Sequence, residues 1–318
     1  MDVTQLRTLI HVAELGSLSK AADRLHIAQP ALSRQIRLLE EELGVRLFDR
    51  HGRGMIVTEQ GQDVLRHALR VMAELEEIRA VVSDENAPLR GHVSIGMPPT
   101  ASDILSEPLV SAFRDNHPEA TLRIVSAYTG YLLDWMHRGE IDAAILYDPR
   151  SARTLRIEPL LEETLFLIGS PGMGLSLDRA VEFAALESHR LLLPSMGHGL
   201  RTLVDRYAQE CGTILDIKVE ADSYSTLKSL VRHGHGVTIL PLAPIHEELK
   251  AGRLGAAPLV NPTPVRRLVM SHPSDRPMPR LATFAGQVIA ATIGKLVERG
   301  VWSGRILAAE PEPQSPRR

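Results

Sequence analysis

Apolar residues at the start of the chain recur at helical spacing. Leu6, Ile10 and Ala13 fall at i, i+4 and i+7 with Leu9 beside them, which predicts an amphipathic helix ending near Gly16. Ser17 is the expected N-cap of a second helix over 18–25. Pro30 lies in the first turn of a third helix, whose apolar face is Leu32, Ile36, Leu39 and Leu43 and whose stop is Gly44. Residues 45–58 read as a small β element around His51-Gly52-Arg53-Gly54. Residues 58–85 carry one long helical pattern, broken by Pro88 and Gly91. Short apolar runs at 93–95, 122–125, 143–147, 164–168, 191–193 and 237–240 then alternate with helical patterns to about residue 300. That alternation predicts an α/β region of βαβ units. The last ten residues hold three prolines and no period, which predicts an unstructured tail.

The third helix carries the most specific chemistry. Its outward positions hold Gln29, Ser33, Arg34 and Arg37 between the apolar ones. Arginine can grip a guanine edge with two bonds, glutamine suits adenine, and serine accepts either partner. A short helix-turn-helix spacing presents such a helix to the major groove. The base-reading candidates are Gln29, Pro30, Ser33 and Arg34. Ser17, Lys20, Arg37, Arg50 and Arg53 are the candidates for the DNA backbone. Three amphipathic helices with an ordinary polar surface fit the same pattern.

Along the long helix, Val64, Ala68, Val71, Leu75, Ile78 and Val82 recur at 4, 3, 4, 3, 4, a heptad seam. Leu65, Leu69 and Met72 widen its apolar face, so a partner surface is expected. Packing inside its own chain is the alternative.

Composition narrows the classes. The 318 residues carry a formal charge of -3, which excludes a globally basic coat for nucleic acid but not a local basic face. The first 58 residues hold eight basic and seven acidic side chains, so the slight positive excess lies where the DNA reader is expected. Glu40, Glu41 and Glu42 cluster at the far end of the third helix. One cysteine, Cys211, excludes an internal disulfide framework, suits a reducing cytosol, and reads as a buried structural thiol. No secretory signal or membrane-spanning run is expected, so the chain reads as cytoplasmic, with no membrane partner. His233 and His235 lack further ligands at metal spacing, and the sequence shows no Walker A loop, zinc-protease motif or nucleophile elbow. The expectation is therefore no metal, no cofactor and no enzyme.

The run Gly16-Ser17-Leu18-Ser19-Lys20-Ala21-Ala22-Asp23-Arg24-Leu25, followed by Gln29-Pro30-Ala31-Leu32-Ser33-Arg34-Gln35-Ile36, resembles the winged helix-turn-helix of LysR-type transcriptional regulators. So does the continuation from Leu38 to Arg50, with Val57-Thr58-Glu59-Gln60-Gly61 after it. The family often has Ser or Thr where this chain has Ala28, which implies a recognition helix without a side-chain cap. Phe113 with His117-Pro118, Gly139-Glu140-Ile141-Asp142-Ala143-Ala144-Ile145 and Gly234-His235-Gly236-Val237-Thr238-Ile239-Leu240-Pro241 extend the resemblance to the effector domain. The stretches Tyr128-Thr129-Gly130 and Phe166-Leu167-Ile168-Gly169 resemble regulators of the nitrogen-assimilation-control type.

The resemblance implies a mixed fold. A winged helix-turn-helix over 1–58 and a linker and dimerisation helix over 59–88 precede an effector domain over 89–300, with a tail over 301–318. The effector domain would share the type 2 periplasmic-binding-protein fold, with two subdomains joined by crossovers near 147–160 and 261–268. The implied partners are double-stranded promoter DNA with an inverted repeat, a second subunit in a homodimer or homotetramer, RNA polymerase and a small-molecule effector. Thr100 and Ser102 sit where helix N-caps are expected. The family's cleft maps onto Thr100, Ala101, Ser102, Thr129, Ser195, His198 and Gly199, with Ser223 and Thr226 on the far wall. Hydroxyls and helix amides there suit a small polar metabolite such as a carboxylate, with His198 and Arg201 as further sources of positive charge. The competing expectation is a small-molecule-binding or enzymatic α/β protein whose N-terminal helices only mediate assembly.

Overall fold

A computed structural model describes residues 1–51, 54–81, 88–149 and 154–307. The chain forms two compact units, Met1–His92 and Val93–Arg318. The first contains α1 (Val3–Leu15), α2 (Leu18–Leu25), α3 (Gln29–Leu43), the hairpin β1 (Phe48–His51) and β2 (Gly54–Val57), and α4 (Glu59–Val81). Asp2 and Gln5 form a capping box on α1, and Gly16 ends it in the left-handed region. Ser17 caps α2 as expected, and Ala28 leaves α3 without a side-chain cap. Leu9, Leu32, Ile36 and Leu39 meet Leu47 and Phe48 in one core. Leu43, expected on that apolar face, stays exposed. One carboxylate oxygen of Glu40 accepts from the amides of Leu47 and Phe48, tying α3 to the hairpin. Gly61 has no room for a side chain, because a Cβ there would lie 2.2 Å from the Leu47 carbonyl oxygen.

The heptad reading of α4 needs correction in its first half. Ala68 is only 1% exposed and belongs to the core of its own unit, with Val64, Leu65, Leu69 and Met72 packed against that core. Val71 and Ile78 remain 44% and 64% exposed, while Leu75 is half-buried. α4 therefore has two apolar faces, one spent on its own unit and one open. Val82 lies outside the described residues.

In the second unit, β3 (Gly91–Met97), β4 (Ala120–Ser126), β5 (Ala143–Tyr147), β6 (Leu155–Thr164), β13 (Val265–Pro273) and β14 (Gly304–Ile306) form one sheet in the order β14-β6-β13-β5-β3-β4. A second lobe contains β7 (Phe166–Gly169), β8 (Val181–Glu182), β11 (Thr238–Leu240) and β12 (Gly255–Val260), ordered β11-β7-β12-β8. The pair β9 (Leu191–Leu193) and β10 (Ile217–Glu220) joins this lobe through a bridge from Leu191 to Val237. Helices α5 (Pro99–Asn116), α6 (Thr129–His137), α7 (Gly199–Cys211), α8 (Tyr224–Arg232), α9 (His246–Lys250) and α10 (Arg280–Glu298) complete the unit. By length and hydropathy α10 passes as a membrane span, the one such helix among the described residues. Its Leu281, Ala285, Ile289 and Ile293 are core residues here, and Phe284 packs edge-on against Phe113 of α5.

Two expected boundaries move. The first crossover is not at 147–160, because β6 pairs with β13 from Leu155 to Thr164, with one register shift at Leu160; the chain changes lobe at Leu165 and returns through 261–264. The expected tail begins too early. Trp302 is fully buried, and Gly304–Ile306 pair with β6. Residues 308–318 of that tail lie outside the described residues. The indole nitrogen of Trp302 donates to Glu163 Oε2 at 2.8 Å. Glu163 is fully buried and pairs through its other oxygen with Arg266.

Trp302→Phe keeps the ring packing but strips that carboxylate oxygen of its donor. We expect a loss of about 1–3 kcal/mol in urea denaturation; an unchanged midpoint would mean that the bond contributes nothing to stability.

Candidate functional site

The first unit presents the outward face of α3. Gln29, Pro30, Arg34 and Arg37 are exposed on it, and Ser33 is half-buried. They lie opposite the buried row of Leu32, Ile36 and Leu39, so amphipathic packing alone aims them at solvent. The side-chain oxygen Oε1 of Gln29 accepts from the Ser19 hydroxyl at 3.3 Å, which links the helix start to α2. Arg37 lies 3.4 Å from Glu41 in an exposed i,i+4 pair, a weak tie that a phosphate can displace. Lys20 is exposed on α2, while Ser17 spends its oxygen on the Lys20 amide. Arg50 lies on β1, and Arg53 falls outside the described residues.

In the second unit an open cleft of about 760 Å³ runs between the two lobes. Ser102, Asp103 and Tyr128 line it from the six-stranded lobe, and Asp222, Ser223 and Tyr224 from the other. Strand ends place helix starts here: α5, α6 and α8 begin at residues that line the cleft, and the cap residue of α7, His198, packs on Tyr128 of its wall. The cap positions of α5 and α6 are Pro98 and Tyr128, and neither supplies a side-chain bond. This corrects the expectation that Thr100 and Ser102 are caps. Proline at the entrance shifts the helix start upstream, leaving Thr100 free to bond the Tyr147 hydroxyl at 3.0 Å. The Ser102 hydroxyl instead meets that of Ser106 at 3.2 Å.

The remaining predicted residues divide. Thr129 opens α6, and its hydroxyl accepts from the Tyr147 amide at 3.3 Å. Ala101 is fully buried, with its amide bonded to the Pro98 carbonyl, so it offers the cleft neither side chain nor donor. Ser195 donates from both its amide and its hydroxyl to Asp222 Oδ1, at 2.8 Å each. Those two bonds hold the Asp222 carboxyl below its usual range. Ser223 caps α8 by accepting from the Thr226 amide, and Thr226 itself is exposed one turn along. Gly199 is the first residue of α7, with open space where a side chain would stand.

The sources of charge differ from expectation. Arg201 is committed to Glu220 at 2.8 Å, to Asp205 at 3.0 Å and to the Pro194 carbonyl, so it braces its own lobe. His198 Nδ1 accepts from the Leu200 amide, and its ring meets Tyr128 edge-on at 4.3 Å between centroids. Burial, then the charge of Arg266, lowers its pKa to about 4, so it is neutral at pH 7. A buried cation, Arg266, is close enough to act on His198, and its guanidinium lies 3.4 Å from the centre of the Tyr147 ring. A period-2 reading of β13 would have found it, because Arg266 shares a buried face with Leu268 and Met270. Cys211, expected to be buried, is exposed, with its thiol bonded to the Tyr207 carbonyl.

Residues 3–62 match the family described as bacterial regulatory helix-turn-helix protein, lysR family, and residues 86–292 match the LysR substrate binding domain. The chain is 32% identical over 245 residues to the nitrogen assimilation regulatory protein nac of Klebsiella aerogenes, covering 76% of this chain and 78% of that protein. It is 31% identical to a probable hydrogen peroxide-inducible genes activator of Mycobacterium leprae, over 93% of this chain and 94% of that one. A solved structure of a mutant of Corynebacterium glutamicum OxyR superposes with a TM-score of 0.70 at 27% identity, over 93% and 94% of the two chains.

Two outcomes follow from the geometry. Arg34→Ala should relax base preference by about 1–3 kcal/mol per lost contact, measured by competition among operator variants; undiminished discrimination would move the reading face elsewhere. His198 holds fewer protons folded than unfolded between its pKa of about 4 and the ordinary 6.5. Stability should therefore fall as pH drops through that window. His117 and His272, also lowered, add the same sign. His198→Asn keeps a capping side chain and should flatten the melting-temperature slope between pH 6.5 and 4. An identical slope would show that His198 is not desolvated.

Proposed function

The chain belongs to the LysR family of bacterial transcription regulators, and on that premise we propose that its inter-lobe cleft senses a small carboxylate. Like its family, the chain is a ligand-responsive, DNA-binding regulator with a helix-turn-helix unit and an effector unit. One observation carries the finer reading. α5 and α6 open at the cleft without side-chain caps; Pro99 has no N–H and the Ala101 amide bonds Pro98, so the donors with partial positive charge are the Thr100 amide of α5 and the first amides of α6. Such a site favours an anion over a neutral or cationic metabolite. The volume suits a compact molecule. The reading requires no resident cofactor or metal and no catalytic role.

The rest of the proposal concerns assembly and setting. The exposed Val71 and Ile78 on α4 favour a partner helix from a second subunit, giving a dimer or tetramer that places two α3 helices on an inverted repeat. We place this activity in the cytoplasm, with RNA polymerase as a further partner at the promoter. A response to hydrogen peroxide through an internal disulfide is disfavoured, because that chemistry needs two cysteines and this chain has one.

Footprinting of promoter fragments tests the proposal. We expect a protected dyad whose pattern changes with a carboxylate metabolite, and a loss of that change, with protection intact, in Thr100→Val and Thr129→Val. A protected site that no carboxylate alters would overturn the sensor reading.

A further inference from the structure

We infer that Arg266 is the anion receptor of the effector cleft, binding the carboxylate of a small monoanion through its outer guanidinium edge. This rests on the reading of the cleft as the effector site and names the group that fixes the ligand's charge.

Arg266 is only 6% exposed, yet its Nη2 is buried without a hydrogen-bond partner. An orphaned charged donor is costly, so native structures rarely keep one without use. The Nε and one face of the guanidinium are taken. Nε bonds Glu163 Oε1, and one face lies on the Tyr147 ring. Glu163 cannot turn to satisfy Nη2 as well, because Trp302 holds its second oxygen. The pair with Glu163 and the stack on Tyr147 thus lock the guanidinium and leave its outer edge free. A planar fork held this way matches a carboxylate.

The acceptors nearby are engaged: Asp148, whose charge also acts on Arg266, accepts from Arg267 through both oxygens. The Tyr147 hydroxyl is already bonded to Thr100. The His198 ring accepts a hydrogen bond from the Leu200 amide at Nδ1, so in its neutral form Nε2 carries the hydrogen and donates. The charge of Arg266 helps keep His198 neutral, which places that charge near the start of α7. Asp222, the acid on that wall, is held by Ser195. The missing acceptor must therefore come from outside the chain. Glu163 nearby disfavours a second negative charge, so the ligand class is a monocarboxylate. Tyr128, on the cleft wall, packs on His198 from the opposite lobe. A ligand bridging toward Arg266 would act on this cross-lobe contact, a route from binding to lobe movement.

The test uses the full chain and three probe pairs: glycolate, pyruvate and benzoate, each against its amide. Thermal shift and calorimetry should show stabilisation by at least one acid and not by its amide. Replacing Arg266→Met and Glu163→Gln together removes both charges, so neither is stranded, and the glutamine carbonyl still accepts from Trp302. In this double variant, with folding checked by circular dichroism, the acid's affinity should fall about tenfold or more. Should the double variant not fold, Arg266→Lys keeps the charge without the fork and should also weaken the acid. Acid binding retained in the variant would overturn the receptor while leaving the carboxylate reading intact. Equal stabilisation by acid and amide, or none by any acid, would overturn both.

Discussion

The effector unit is organised around a carboxylate that has left water entirely. Glu163 sits near the end of β6 with both oxygens engaged, one by Arg266 on β13 and the other by Trp302 beyond α10. A buried charge is tolerable only when it is paired and hydrogen-bonded. This requirement ties together three segments that are far apart in sequence. It draws the end of the described chain into the sheet as β14, and it holds the Arg266 guanidinium flat against Tyr147. Tyr147 in turn bonds Thr100 and Thr129, the residues at the starts of α5 and α6. A network that begins in the core of one lobe therefore ends at the wall of the cleft.

The cleft is polar because helices begin there, while its sides are held in different ways. On the six-stranded lobe the helix starts lack side-chain caps and the Tyr147 network positions the hydroxyls. On the other lobe Ser195 bonds Asp222, Ser223 caps its own helix, and Arg201 is held by Glu220, Asp205 and the Pro194 carbonyl. Unspent donors thus belong to one wall and a self-satisfied network to the other. Tyr128 and His198 meet across the gap through ring edges, a contact with little directional energy that is suited to being altered.

The DNA-reading unit follows a simpler logic. Its core is one face of each of three short helices, closed by the hairpin and the first half of α4. Burying Leu32, Ile36 and Leu39 leaves Pro30, Arg34 and Arg37 no place but the surface. α4 spends one face on this core and leaves Val71 and Ile78 exposed on another, because a 23-residue helix has more than one face to offer.

Local rules made much of this legible. Helix starts and stops at Ser17, Gly16 and Gly44, the reading face of α3 and the strands 143–147 and 191–193 all depend on residues within a turn or two of each other. The family resemblance in the first 60 residues added the winged helix and the regulator's role. Other features depended on which distant segments pack together. Nothing near Trp302 signals that it pairs with Glu163, and nothing near Ala68 says that α4 buries it against its own unit. Whether His198 or Arg201 carries positive charge was settled by neighbours remote in sequence: burial and Arg266 keep the histidine neutral, while Glu220 occupies the arginine. Sequence alone thus determined the regulator class, through the family motifs, and which residues of α3 face solvent, because periodicity and capping act locally. Only the tertiary structure decided which cation is left unsatisfied beside the cleft, because desolvation and charge pairing are properties of three-dimensional neighbours.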